Sequence, residues 1–287
     1  PNKMYQPELG HIAYHQYLDQ LEYAEKVGFD GIGVNEHHAN AYGLMPSPNI
    51  MAATLTRRTS KAALVVLGNS IALYNPPLRV AEEFAMLDVL SGGRLIAGFP
   101  VGTSMDTNYA YGTIPALTRE KYAEAHDLIK KAWAANEPFA FNGRYTKLRY
   151  VNCWPKPVQQ PGPPLWRSVI SPGSFTECGK LGVPILTARL PVDRLKERWA
   201  LYADGIAAGG HSEEKRDRLL AQFPGGVLAH RLDDVVDRGL VLGARGLEAR
   251  RLVAAPHDHV GRGLDLLDLV AVDHALVARE IENLAAC

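Results

Sequence analysis

The chain has no surplus of either charge: 31 lysines and arginines balance 31 aspartates and glutamates over 287 residues. With no basic run either, it carries no electrostatic footprint for nucleic acid or for an anionic membrane surface. Cysteine is scarce, with Cys153, Cys178 and Cys287 set far apart. An odd, scattered set builds neither a disulfide framework nor a zinc site and suits a reducing, cytoplasmic setting. Long apolar runs are missing as well. A stretch such as Ala62 to Leu67 falls far short of the roughly 20 residues that a membrane helix needs. The first residues do not read as a signal peptide. Aromatic residues make up 8%, charged 22% and hydrophobic 47%, close to the globular average, which excludes disordered, collagenous and coiled-coil chains.

What is present is a steady alternation of strand-like and helix-like segments. Helical spacing of apolar residues predicts helices at His11–Val27, Asn49–Arg58, Leu78–Leu90, Thr118–Ala135, Ser174–Leu181 and Val192–Ala208. Short apolar runs predict strands at Asp30–Asn35, Ala63–Leu67, Arg94–Gly98, Leu165–Ile170 and Val183–Thr187. The segment Phe139 to Pro164 interrupts this rhythm. It holds a hairpin signal at Asn142-Gly143 and then a proline-rich stretch. Beyond Ala221 the pattern weakens, with strands read at Gly239–Leu242 and Leu264–Val270 and a helix at Ala275–Leu284. Repeated βα units mean a parallel sheet. No Gly-x-Gly-x-x-Gly follows the first strand, so a barrel is preferred over a dinucleotide-binding fold.

Functional side chains of a parallel barrel sit at the C-terminal strand ends. The first predicted strand ends in Glu36-His37-His38. Neighbouring residues point to opposite faces, so only one histidine looks straight into the mouth. That spacing disfavours a metal, which wants two ligands on one face. Acid–base chemistry needs one imidazole, and both histidines holding loop backbone is the structural alternative. The next strand ends in Gly68-Asn69-Ser70. This suits the edge of a heterocycle or an ordinary turn. Gly98 to Asp106 is a glycine-containing loop that either cradles a phosphate or packs. Ser171-Pro172-Gly173-Ser174 stands at a helix start. Its hydroxyls either receive an anion or cap the helix. Arg167 and Arg189 add charge on this side or lie in solvent, and Phe99, Met105, Tyr109 and Tyr111 suggest an apolar pocket.

Together these residues resemble the bacterial-luciferase-like flavin monooxygenases. The resemblance rests on Asn35-Glu36-His37-His38, Gly68-Asn69, Arg79-Val-Ala-Glu82, Leu87-Asp88-Val-Leu-Ser91-Gly-Gly-Arg94, Trp154-Pro-Lys-Pro157 and Ser171-Pro-Gly-Ser174. It covers roughly residues 11–210 and, more weakly, 233–285. It implies a (β/α)8 TIM barrel forming one domain over residues 1–287, with an excursion at 139–164. A first strand and a late strand, near Gln222-Phe223, are not evident in this sequence. It also implies reduced FMN supplied by a separate flavin reductase, O2 as co-substrate, and hydroxylation or Baeyer–Villiger oxygenation of a small to medium organic molecule. A cytoplasmic homodimer or higher homo-oligomer follows, with no nucleic acid, membrane or metal involved. By matching position, His37 lies near the reactive flavin carbon and the substrate, with His38 beside it. Gly68-Asn69 carries a non-proline cis peptide under the flavin ring, and Ser171, Gly173 and Ser174 hold the FMN phosphate. Val101 stands where the luciferases proper place a phosphate-binding arginine, which leaves Arg167 or Arg189 to supply that charge. Two alternatives follow from the same resemblance: an oxidoreductase using the deazaflavin F420, or a non-catalytic flavin-binding partner subunit.

Overall fold

The computed structural model describes residues 5–39, 44–102, 104–187 and 190–221. Helix α1 (Pro7–Lys26) begins four residues before the apolar spacing suggests, because Pro7 occupies its first turn and Glu8 faces its positive end. It buries Tyr17, Leu18, Leu21 and Ala24. Strand β1 (Gly31–Val34) follows, then α2 (Pro48–Arg58), β2 (Ala63–Leu67), α3 (Leu78–Ser91) and β3 (Leu95–Gly98). Helix α3 stops at Gly92, whose φ of 66° is the left-handed cap that glycine accepts without strain. Next come a short helix α4 (Met105–Ala110) and a long helix α5 (Thr118–Ala134). The hairpin β4 (Phe139–Asn142) and β5 (Lys147–Val151) forms where Asn142-Gly143 predicts it. The parallel rhythm resumes with β6 (Leu165–Ser168), α6 (Pro172–Leu181), β7 (Ile185–Leu186), α7 (Val192–Ala208) and α8 (Glu213–Ala221).

The main sheet runs β1-β2-β3-β6-β7, every pair parallel. The register is continuous: Val34 lies beside Val66, Leu67 beside Gly98, Gly98 beside Trp166 and Ser168 beside Leu186. The sheet curls as a half-barrel. The closed eight-stranded barrel is thus represented, among the described residues, by five parallel strands. The strands read at Gly239–Leu242 and Leu264–Val270 and the helix at Ala275–Leu284 lie outside the described residues. Among those described, no helix is long and apolar enough to cross a membrane.

Two apolar clusters hold the elements. The larger joins α1–α3, α5 and β1–β3. The smaller joins α6–α8 around Phe175, Cys178, Tyr202 and Ile206. Phe99, expected at the mouth, is 1% exposed. It packs into an aromatic core with Phe84 and Trp133 at centroid distances of 5.0 and 6.3 Å, because it follows β3 directly into the space above α3 and α5. The Leu-Asp-x-Leu-Ser-Gly-Gly-Arg run has a structural account too. The fully buried Asp88 carboxylate accepts from the Gln159 backbone N–H (2.9 Å) and side-chain amide (2.7 Å), pinning the proline-rich excursion. Arg94 donates to the carbonyls of Ala62 (2.7 Å), Thr59 (3.1 Å) and Ser91 (3.0 Å), tying the ends of α2 and α3 to β2.

Candidate active site at the strand tips

Because all five strands are parallel, the segments leaving β1, β2, β3 and β6 emerge on one edge. The first two carry a polar network. Just past β1, the side chain of Glu36 is only 1% exposed. Its Oε1 lies 2.6 Å from His38 Nε2. Its Oε2 accepts from Asn69 Nδ2 (2.8 Å) and from the Ser70 backbone N–H (2.9 Å). A carboxylate removed from water is tolerated only when such donors replace its hydration. Asn69 is fully buried. Its Nδ2 also reaches Tyr74 Oη (3.2 Å), and its Oδ1 accepts from Asn49 Nδ2 (3.0 Å) in the first turn of α2. Asn49 Nδ2 donates again to Glu83 Oε2 (2.7 Å), and Glu83 Oε1 accepts from Arg79 Nε (2.7 Å). Both amide hydrogens of Asn49 therefore meet acceptors. Its own Oδ1 is buried with no donor, an omission that costs about 1–3 kcal/mol. Flipping the amide would set that oxygen against the Glu83 carboxylate, so the orientation stands.

His38 is 7% exposed and bonded on both ring nitrogens. As a carboxylate Glu36 can only accept, so the short contact at Oε1 places a proton on His38 Nε2. Nδ1 then accepts from Tyr111 Oη at 3.1 Å. The Tyr111 ring meets the imidazole edge-on at 4.8 Å. Burial, and then the negative charge of Glu36, push the Tyr111 phenol above its ordinary pKa. The same two causes, in the same order, raise Tyr74.

The structure distributes the sequence-predicted residues unevenly. His38 enters the enclosed network. His37 is half-buried, and its backbone N–H donates to Met45 O at 2.9 Å. The Asn69 side chain does not present a free edge to a heterocycle, because its amide nitrogen and oxygen are spent on Glu36, Tyr74 and Asn49. Gly68 is required by close approach: a Cβ there would collide with the Pro100 ring. The expected cis peptide at Gly68-Asn69 is not found. The cis bonds among the described residues are Asn75-Pro76, Trp154-Pro155 and Gln160-Pro161, all preceding proline, where a tertiary amide weakens the trans preference. Met105 and Tyr109 are 49% and 68% exposed on α4, and Tyr111 is placed by its hydroxyl, not as an apolar wall.

Past β6 the arrangement is open. Ser171 Oγ and Ser174 Oγ are 2.7 Å apart at the start of the ten-residue α6, Ser171 exposed and Ser174 half-buried. Ser171 makes no side-chain cap; Pro172 has no N–H and the Ser174 N–H donates to Ser171 O (3.1 Å), which leaves the Gly173 amide at the positive end of the helix. Gly173 is exposed, and a Cβ added to it would meet nothing within 4 Å. Val101 is half-buried and packs on the larger core. Arg167 does not serve this turn. Its guanidinium lies 5.1 Å from the Tyr122 ring and bonds Glu177 Oε1 at 3.0 Å, because its side chain leaves the sheet toward α5 and α6. There it lines a cavity of about 280 Å³ with Val101, Tyr122, His126 and Trp166. Burial pushes His126 down to about 4 and Tyr122 up to about 12. Arg189 lies outside the described residues. Sequence reasoning gave no role to Glu36, Asn49, Tyr74 or Glu83. The available signal was an acid placed two residues after the apolar run Gly31–Val34, a position that demands partners.

Comparison with known proteins agrees with this architecture. The family model of luciferase-like monooxygenases matches residues 2–225, and the chain belongs to that family. Among curated proteins it is 28% identical over 231 residues to 4-hydroxyprotoasukamycin monooxygenase of Streptomyces nodosus subsp. asukaensis, covering 77% of this chain and 62% of that one. It is 29% identical to limonene 1,2-monooxygenase of Rhodococcus erythropolis (73% and 54% covered). It is 28% identical to the oxygenase component of the flavin-dependent trigonelline monooxygenase of Acinetobacter baylyi (56% and 44% covered). The chain thus spans 44–62% of the length of these relatives. Among solved structures, the monooxygenase RslO1 of Streptomyces bottropensis superposes with a TM-score of 0.65 at 23% identity (80% and 78% covered). The FMN-bound oxygenating constituent of 3,6-diketocamphane monooxygenase of Pseudomonas putida gives 0.61 at 19% (78% and 70% covered). An F420-dependent secondary alcohol dehydrogenase gives 0.62 at 24% (70% and 62% covered). At these identities the superpositions speak for the fold.

Proposed function

We propose that the protein is the oxygenase of an FMN-dependent two-component monooxygenase, taking reduced FMN from a separate flavin reductase and transferring one oxygen atom of O2 to a small organic substrate. The observation that carries this reading is the pairing, on one sheet edge, of a buried imidazole–carboxylate network with an open, hydroxyl-bearing helix start. The residues fit the cofactor. Ser171 and Ser174 offer two hydroxyls beside the Gly173 amide, and the open space around Gly173 leaves room for a phosphate. When bound, the flavin supplies the electrons and the O2 activation that no side chain can.

The chain's own part is to place and protect. His37 and His38 handle protons at the β1 tip, and Glu36 holds the His38 ring in one tautomer. Gly68 lets the Pro100 loop close against β2, and the large apolar core beneath the tips keeps water from entering from below. The homo-oligomeric state and cytoplasmic location implied by the resemblance belong to the same proposal. The test uses the full chain, reduced FMN with a reductase, and 18O2 over a panel of terpenoid, aromatic and ketone substrates. Incorporation of one labelled oxygen into product is expected; FMN binding weaker than millimolar, or flavin oxidation with no labelled product, overturns the reading. A second reading, hydride transfer with F420, draws on the fold neighbour that uses that cofactor. Parallel titrations with FMN and F420 decide between them, tighter binding of FMN being the expected result.

A further inference from the structure

The Glu36–His38 pair has a third member on a different element. Helix α4 follows β3 across the same edge and ends at Tyr111, which is 45% exposed while its hydroxyl sits 3.1 Å from His38 Nδ1. Three groups are then in line: a carboxylate that is fully enclosed, an imidazole that is nearly so, and a phenol with one side open. The order of exposure gives the line a direction. Its inner end is fixed, because Glu36 is also held by the Asn69 amide and the Ser70 backbone. Its outer end is the only one of the three that meets what enters over the strand tips.

We propose that Tyr111, His38 and Glu36 form a proton relay in which the Tyr111 hydroxyl is the outward terminal. The step balances without a further reactant. An acidic O–H of a bound molecule passes its proton to Tyr111 Oη. The proton already on Oη passes along the 3.1 Å contact to His38 Nδ1. The molecule is left as an oxyanion and His38 as an imidazolium, its Nε2–H still held 2.6 Å from the Glu36 carboxylate. Run in reverse, the relay protonates an oxyanion. The same division of labour, in which a buried acid orients a histidine that serves an exposed hydroxyl, activates nucleophiles on unrelated folds. Among the described residues, the charged and titratable groups beside the relay include Glu36 and His37 on its own segment, Tyr74 beyond β2 and Glu83 on α3. A phenol whose pKa lies above the ordinary value keeps its proton at neutral pH, as a relay terminal must.

The relay is a property of this chain's side chains, and it rests on the oxygenase reading only for what it acts on. Nitrogen-15 NMR of the histidine rings in the full chain tests it without turnover. Wild type is expected to show His38 as the Nε2–H tautomer with a hydrogen-bonded Nδ1. Tyr111→Phe should move the Nδ1 resonance toward the free-acceptor value, while Glu36→Gln should mix the tautomers. Tyr150→Phe, on the hairpin, should leave both signals in place. In turnover, Tyr111→Phe should lower kcat about 10- to 100-fold with KM changed less than about threefold, and should move one limb of the pH–rate profile. An unchanged His38 spectrum in Tyr111→Phe overturns the relay whatever the activity. A shifted spectrum in a protein that oxygenates nothing upholds the relay and removes the oxygenase reading. Wild-type kcat and pH profile in an active Tyr111→Phe enzyme also overturn it.

Discussion

One sheet edge carries two kinds of polar site. At the tips of β1 and β2, the polar groups are enclosed, and Glu36, His38 and Asn69 satisfy one another through bonds of 2.6 to 2.8 Å. At the start of α6, the exposed Ser171 and the half-buried Ser174 bond each other at a site open to water. The difference follows from desolvation. A buried carboxylate or amide must find its partners on folding, since leaving one unpaired costs several kcal/mol. An exposed hydroxyl is served by water until a ligand arrives. The first half of the edge is thus organised in advance, and the second half stays exchangeable.

Four experiments probe this contrast. Glu36→Ala breaks the closed half at its hub and strands three donors, so a loss of about 3–5 kcal/mol is expected. In a thermal melt this appears as a fall of roughly 10 °C or more. Gly68→Ala leaves the hydrogen bonds intact and tests the close packing beside them. Collision with the Pro100 ring should cost near the top of the roughly 1–3 kcal/mol range for overpacking, read as a shifted urea midpoint. His126 lies away from both halves, on α5 in the cavity that Arg167 lines, stacked on Tyr122. Its pKa is about 4 in the fold against an ordinary 6.5, so the fold favours the neutral ring. The stability it contributes is complete above pH 6.5 and is lost as pH falls from 6.5 toward 4. With the side chain 25% exposed, the loss should be about 1–2 kcal/mol, and His126→Leu should flatten that part of the stability–pH curve. The smallest effect on stability belongs to the open half. Ser171→Ala with Ser174→Ala should change unfolding free energy by less than about 0.5 kcal/mol, because neither hydroxyl is enclosed. FMN affinity should fall about tenfold in the same variant, measured by fluorescence titration.

Much of the architecture was legible because it rests on local patterns. The run Ala63–Leu67 is uninterrupted because both faces of a central parallel strand are covered, and Asn142-Gly143 predicts a hairpin by its turn geometry alone. The misses have equally physical causes. Helix α8 (Glu213–Ala221) is short and highly charged, so its apolar period is faint, and α4 spans only six residues. At the site, sequence singled out Glu36-His37-His38 and Asn69 but not what joins them. Glu36 and Asn69 are 33 positions apart and meet only because β1 and β2 pair in register. Asn49 and Glu83 reach the same point from two helices, and no single segment records that convergence. Arg167 was misplaced because period-two alternation does not say which side of a strand faces the helices.

The two oxygens of Glu36 serve different strands: one faces an imidazole carried past β1, the other the backbone beyond β2. A change of charge on residue 38 is therefore felt as a pull on the 70–74 turn, and a rebuilt turn is felt in return as altered basicity. Anyone grafting a new loop after Leu67 to admit a different guest would be retuning acid–base behaviour on the neighbouring strand, so the two properties must be engineered together.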